Sequence, residues 1–422
     1  MRTGVAAFRL VGSLPIGLPA TAVVAAALLA AAPCGARTWF VNTSGTGDAP
    51  TIQAAADSAS PGDTVLVAPG TYPERVQLTS AVTLRGSGSA SATTIDGGNQ
   101  IGYCVQSPWL DGVLLESLRF VGVTGDGYGY GGYAVTTSGR ATIRDCIFEN
   151  AGVGAVNACG DLTLRDSTLR QSDDIFFSGT NLTVAHCLFE NSYSSYPALV
   201  EITSLGCPGP TTAVISGNTF RNNASTSTAM IGYDHVSASL DLEVSGNLFV
   251  GNGGPAVAVT PLGVPGPRQG RGGGSVSLEI RENTIARNAG YTIGWPLYPF
   301  GLFGSESIAI RRNAITGNAH GPYFGYPVSP LTIECNDVWA NGVNWAGIAD
   351  PTGTNGNISL EPRYCDAAQG NFTVATNSPL RDANNPCHVL IGAFGVGCGP
   401  VSVEPATWGK IKAAYRGDGV AR

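Results

Sequence analysis

Positive charge is scarce in this sequence. The 422 residues include two lysines, Lys410 and Lys412, both in the final stretch, and every other basic residue is arginine or histidine. Lys and Arg together number 23 against 30 Asp and Glu. That balance excludes nucleic acid as a partner, because phosphate binding needs a positive surface; a polyanionic glycan would need a local basic patch or a bound cation. The four histidines, His186, His235, His320 and His388, show no metal-ligand spacing, and there is no Cys-x-x-Cys pair, which leaves metal binding the weaker reading of the cysteines. Gly-x-Ser-x-Gly and phosphate-loop signatures are missing as well. After Ala32 no apolar run is long enough to span a bilayer.

The one long apolar run lies at the start. Arg2 and Arg9 supply a positive end, an alanine-rich stretch reaches Ala32, and Cys34-Gly35-Ala36 offers a small-residue cleavage site before Arg37, so residues 1–36 read as a signal peptide. The lipoprotein alternative would acylate Cys34, and Pro33 directly before it argues against that. The expectation is an exported protein, secreted or held at the cell surface from outside, with 21 basic residues left against 30 acidic ones. Nine cysteines remain in a compartment that permits disulfides. Proximity in sequence pairs Cys387 with Cys398 and Cys335 with Cys365; Cys159 and Cys207 fall near turns and are free to meet.

What the sequence has in abundance is one short pattern. Between Ala141 and Asn341 two apolar residues flank a polar one, followed by a polar residue, a turn residue, Asn or Cys or Ser, a polar residue and a large apolar one. The second apolar position is Ile143, Leu164, Val184, Ile215, Val244, Ile280, Ile310 and Ile333. Three residues on come Cys146, Ser167, Cys187, Asn218, Asn247, Asn283, Asn313 and Asn336, and two further on Phe148, Leu169, Phe189, Phe220, Phe249, Ile285, Ile315 and Val338. The spacings of 21, 20, 31, 29, 36, 30 and 23 residues have a floor near twenty and accept insertions, which is how a solenoid behaves. Within each unit apolar and polar residues alternate at period two, so the units are short strands. They are coils of a β-helix, stacked roughly 4.8 Å apart.

Stacking gives each column a physical role. The Phe/Leu/Ile column becomes an inward apolar stack. The asparagines form a ladder, each amide donating to a carbonyl of a neighbouring coil and satisfying turn backbone that would otherwise be buried and unpaired. Cys146 and Cys187 take the same inward position two coils apart, about 9.6 Å, too far for a disulfide, and read as buried thiols. Leu115 to Phe120 adds a ninth copy with Leu118 in the ladder position. About eleven coils, a rod about 50 Å long, are expected.

The array resembles the right-handed parallel β-helix, or pectin-lyase-like, superfamily. Thr51-Ile52-Gln53-Ala54-Ala55-Ala56-Asp57, Pro61-Gly62-Asp63-Thr64-Val65-Leu66-Val67, Pro69-Gly70-Thr71-Tyr72 and Thr94-Ile95-Asp96-Gly97-Gly98 resemble its usual opening. The fold class is therefore all-β, a right-handed parallel β-helix over residues 37–400. Residues 51–60 read as a short helix closing the first coil, as an exposed β-helix end invites aggregation. Asp350 to Cys398 resembles the terminal segment of secreted β-helix proteins, and Val401–Arg422 reads either as a short docked helix or as a sorting tag.

For chemistry, the turn before the ladder position carries Asp145, Asp166 and His186 in three consecutive coils, with Arg144 and Arg165 beside them. Paired carboxylates can hold Ca²⁺ or split their pKa values, and arginine can meet a uronate carboxylate. Equally, turns are polar whatever the function, and neighbouring Asp and Arg neutralise one another. Asp173-Asp174 resembles the adjacent acids of β-helix polygalacturonases, but that family's Gly-His-Gly and Arg-x-Lys motifs are missing. Gly272-Gly273-Gly274, after Arg268 and Arg271, reads as a loop. A second signal is aromatic: Tyr128, Tyr130, Tyr133, Tyr193, Tyr196, Tyr291, Trp295, Tyr298, Phe300, Tyr323, Phe324 and Tyr326 all follow the end of a repeat. Emerging on one flank, they would make a platform for sugar rings; alternatively they pack beneath their own loops. The leading expectation is a monomeric, non-catalytic protein that binds glycan or another surface ligand, with no cofactor. The alternatives are a polysaccharide lyase or glycoside hydrolase using the Asp145/Asp166 edge, with Ca²⁺ if a lyase, and a structural surface spacer.

Overall fold

A computed structural model describes residues 35–125, 132–152, 154–172, 174–193, 197–203, 207, 209, 211–224, 229–233, 239–259, 275–294 and 306–401. The segments 1–34 and 402–422 lie outside the described residues, as do Asp173, His235 and the Gly272–Gly274 run.

Each circuit of the chain lays short strands in the first and second sheets, and over most of the rod one in a third sheet as well. The first sheet has twelve strands, from Thr38–Val41 to Leu331–Glu334; the second has eleven, from Gly70–Tyr72 to Asp337–Trp339; the third has eight, from Val76–Gln77 to Val257–Val259. Neighbouring strands pair in parallel, and the register follows the repeat: Ile143 lies opposite Leu164, Leu164 opposite Val184, and the series runs on through Ile215, Val244, Ile280, Ile310 and Ile333. This is a parallel β-helix, and its eleven-stranded sheet sets a rod of about 50 Å at 4.8 Å per coil.

The second sheet stacks Phe120, Phe148, Leu169, Phe189, Phe220 and Phe249 inward. The ring centroids of Phe189 and Phe220 are 4.4 Å apart and those of Phe220 and Phe249 4.9 Å, with the rings nearly parallel. Each is buried and contributes about 1.5–3 kcal/mol through burial.

Two asparagine ladders, not one, seal the turns. In the first, Asn218, Asn247, Asn283, Asn313, Asn336 and Asn357 each accept from the preceding member; Asn283 Oδ1, for example, receives the Asn247 backbone N–H at 2.9 Å and Nδ2 at 3.0 Å. Each Nδ2 also donates to a carbonyl of the previous coil, as Asn283 does to Val244 at 2.8 Å. Five residues further along, Asn223, Asn252, Asn288, Asn318 and Asn341 repeat the arrangement between the second and third sheets. Toward the N-terminal coils Cys187 joins the first ladder by its backbone N–H, which donates to Asn218, and Ser167 Oγ accepts from Cys146. The outer faces carry columns of opposite charge, such as Arg85–Glu116–Arg144 and Arg119–Glu149–Arg170.

The N-terminal end is closed by helix α1, Ile52–Ser58. Thr51 caps it, its Oγ1 accepting from Ala54, and the Glu74 carboxylate takes the Ile52 and Gln53 amides; Ile52, Ala55 and Ala56 face the core. At the other end, Tyr364–Asp366, Asn371–Ala375 and Val396–Cys398 form a small sheet docked on the last coils. The disulfides there differ from those expected by proximity: Cys335 bridges to Cys387 and Cys365 to Cys398, with Cα separations of 5.9 and 5.8 Å. Cys335 belongs to the rod and reaches across to the docked segment, whereas Cys365 and Cys398 share the small sheet, so three-dimensional neighbourhood overrides sequence distance. Cys159 and Cys207 form the third bridge. Cys104, Cys146 and Cys187 are buried free thiols. Among the described residues no helix is long and apolar enough to cross a membrane.

Candidate functional site

The turn edge between the first and second sheets holds Asp145, Asp166 and His186, as the repeat implies, and all three are exposed. Their backbone explains them. Each has positive φ (49°, 52° and 55°), and the same column continues with Ser117, Gly217, Gly246, Glu282, Arg312 and Cys335 in the same left-handed region. Asp, Asn, His and Gly reach that region at least cost, so the column is polar because the turn demands it. Arg144 is engaged with Glu116 at 2.7 Å, and Arg165 with Asp166 at 3.2 Å. Ser117 Oγ donates to Asp145 at 2.7 Å. Among the described residues no group of three or more His, Cys, Asp or Glu is placed to hold a metal ion. Asp174 is fully buried at the start of a third-sheet strand, Asp174–Phe177.

The described aromatic residues differ in burial and partners. Tyr193 lies between the second-sheet strand Leu188–Glu190 and the third-sheet strand Ala198–Ile202, and Tyr326 between the second-sheet strand Ala314–Thr316 and the first-sheet strand Leu331–Glu334; both are exposed. Tyr133 opens the strand Tyr133–Thr137 and is buried. Tyr291 stacks on His320 at 4.4 Å and meets Tyr323 edge-on at 5.4 Å, while Phe324 is buried. Tyr128, Tyr130, Tyr196, Trp295, Tyr298 and Phe300 lie outside the described residues.

A cleft of about 480 Å³ opens instead on the edge between the third and first sheets, lined by Trp109, Asp111, Arg140 and Asp161 with Gly139 and Gly160. Trp109 is 79% exposed and has φ of +55°. The glycines are required by close packing of successive turns: a Cβ on Gly139 would stand 2.3 Å from the Leu110 carbonyl oxygen, and one on Gly160 2.3 Å from that of Gly139. Their bareness leaves backbone rather than side chains in the part of the cleft they line. The two acids are fixed in the same way. Asp111 Oδ1 accepts the Arg140 N–H at 2.8 Å, and Asp161 Oδ1 accepts the Asn181 N–H at 3.0 Å and Nδ2 at 3.1 Å. The Cys159–Cys207 bridge lines the same cleft. An exposed aromatic face, anchored carboxylates, a guanidinium and a rigid floor are suited to packing a sugar ring by its apolar face while its hydroxyls are hydrogen-bonded. Sequence reasoning missed Trp109 because it precedes the regular array; the recurrent Gly139, Gly160 and Gly179, each just before a first-sheet strand, were the available signal.

A family model described as right handed beta helix region matches residues 80–264. The chain is a right-handed parallel β-helix. Right-handedness is also what parallel crossovers obey. No curated protein matches this β-helix in sequence. Among solved structures it is similar to pectate lyase Pel9A, with a TM-score of 0.53 and 13% identity over 86% of this chain and 96% of that one. A weaker likeness, TM-score 0.37 and 14% identity over 87% of this chain and 77% of the other, is to a mannuronic acid specific polysaccharide family 6 lyase from human gut microbiota. At these identities the likeness is one of fold, and function rests on the site.

Proposed function

We propose that this β-helix is an extracellular protein that binds glycan at the Trp109 cleft without cleaving it. The observation that carries the reading is Trp109, 79% exposed over a cleft whose polar groups are already held in place. Leaving an indole in water forgoes stabilisation from burying it, and a rigid aromatic beside convergent polar groups returns that cost when a sugar ring covers it. Three disulfides fit an oxidising compartment. The second reading is a polysaccharide lyase or hydrolase at the Asp145/Asp166 edge, for which the fold-level likeness to a pectate lyase is the supporting observation; Ca²⁺ would then be its expected cofactor.

The test is incubation of purified residues 37–422 with a panel of neutral and acidic polysaccharides, with and without Ca²⁺. Retention on a glycan, new reducing ends and unsaturated uronide absorbance are followed together. Retention without product, abolished by Trp109→Ala, is the expected result. Product that disappears in an Asp145→Ala/Asp166→Ala double variant replaces the binding reading by the enzymatic one.

A further inference from the structure

We infer that the Trp109 cleft selects uncharged polysaccharide and discriminates against polyuronate; this rests on the glycan-binding reading and adds the charge class of the ligand. The lining holds two carboxylates, Asp111 and Asp161, and one guanidinium, Arg140. Both carboxylates are fixed through Oδ1 by the backbone amide of the following coil, and among the described residues Oδ2 of each makes no hydrogen bond. Two acceptor oxygens are thus presented at set positions beside the indole. Sugar hydroxyls are donors and meet such oxygens in charge-assisted hydrogen bonds. A uronate carboxylate is an acceptor only, and meets fixed charges of its own sign.

Among the described residues, the sheet faces of the rod offer a polyanion no compensating stripe. No lysine precedes Lys410. Among the described residues, the arginines on the strands of the three sheets are already matched, for example Arg144 with Glu116, Arg170 with Glu149, Arg221 with Glu190 and Arg311 with Glu334. Arg140 forms no ion pair among the described residues, and it is one cation between two anions. A chain bearing a carboxylate on every sugar would therefore find a single unmatched cation at the cleft and neutralised columns beyond it.

Equilibrium titration of residues 37–422 with neutral oligosaccharides (cello-, xylo- and galacto-oligosaccharides) and with oligogalacturonate and oligoalginate, at low and high salt, tests this. The expected result is binding to a neutral series that salt leaves unchanged, with uronate oligomers at least about tenfold weaker. Asp111→Asn with Asp161→Asn narrows that gap by weakening neutral binding and improving uronate binding. Arg140→Gln, which leaves the backbone amide that anchors Asp111 in place, widens it and guards against an unfolded double variant. Uronate binding as tight as neutral binding overturns the charge selection and leaves the glycan reading standing. Binding to neither series overturns both.

Discussion

Replacing Asn283 by alanine tests whether the ladder, rather than the apolar stack alone, holds the coils in register. Asn283 is fully buried. Its Oδ1 accepts the Asn247 N–H at 2.9 Å and Asn247 Nδ2 at 3.0 Å, and its Nδ2 donates to the Val244 carbonyl at 2.8 Å, the Arg281 carbonyl at 3.0 Å and Asn313 Oδ1 at 3.0 Å. Asn247 Nδ2 keeps its bond to Ile215, and Asn313 Oδ1 keeps the Asn283 backbone N–H. The Asn247 N–H loses its partner in the interior, whereas the Val244 carbonyl stays within the parallel pairing of Val244 with Ile280. A buried polar group left without its partner costs about 1–3 kcal/mol, which is the expected cost of the substitution. Asn341→Ala is the control: the same kind of ladder member at the half-buried end, where water takes over the freed groups and the cost falls to about 0.5–1.5 kcal/mol. Urea unfolding measures the difference, and amide hydrogen exchange at Asn247 locates it. Coils interact with their neighbours, so loosening is expected to spread along the rod from that position. An Asn283→Ala protein within about 0.5 kcal/mol of Asn341→Ala, or wild-type protection at the Asn247 amide, refutes the argument.

Asp337 gives a pH prediction. It is buried beneath the docked C-terminal segment, its Oδ1 accepts from Leu360 at 2.9 Å, and burial raises its carboxyl to about 7. Between about pH 4 and 7 the folded state holds a proton that the unfolded state has released, so stability falls as pH rises, by up to about 1.4 kcal/mol per pH unit, and the loss is complete above 7; Asp337→Asn is expected to flatten this slope in denaturation curves. Non-reducing peptide mapping should find Cys335 joined to Cys387 and Cys365 to Cys398, and loss of the first bridge, closing a sequence separation of 52, should cost about 4 kcal/mol. Cys104, Cys146 and Cys187, whose thiols burial pushes up to about 12, should resist alkylation until the protein is denatured; labelling of any of them in the folded state contradicts their placement.

The architecture was legible in the sequence because a solenoid repeats its constraints. A single Ile-x-x-Asn-x-Phe unit says little, but eight in register fix the strand period, the inward columns and the coil count together. The second ladder, Asn223 to Asn341, was equally periodic and went unread, since its residues fall after the conspicuous phenylalanine column. The disulfides were not legible because pairing follows the path of the docked segment. Cys335 sits at a turn of the rod with φ of +57°, and nothing in its spacing reveals that Cys387 returns to it.

The candidate site shows the converse limit of repetition. Asp145, Asp166 and His186 attract notice as a column of ionisable groups, yet a column arises wherever the backbone imposes one conformation coil after coil, and here it is the left-handed turn. The residues that break a column carry more information about function than those that fill it. Trp109 breaks the pattern of its edge: a large apolar side chain in a left-handed turn, open to solvent, in a cleft shared with glycines present because the turns of successive coils touch. Backbone geometry accounts for Gly139 and Gly160, hydrogen bonding to the next coil accounts for one oxygen each of Asp111 and Asp161, and neither accounts for the indole. Substituting Trp109 should therefore leave the unfolding transition of the rod unchanged while removing glycan retention, whereas substituting Asp145 or Asp166 should do neither.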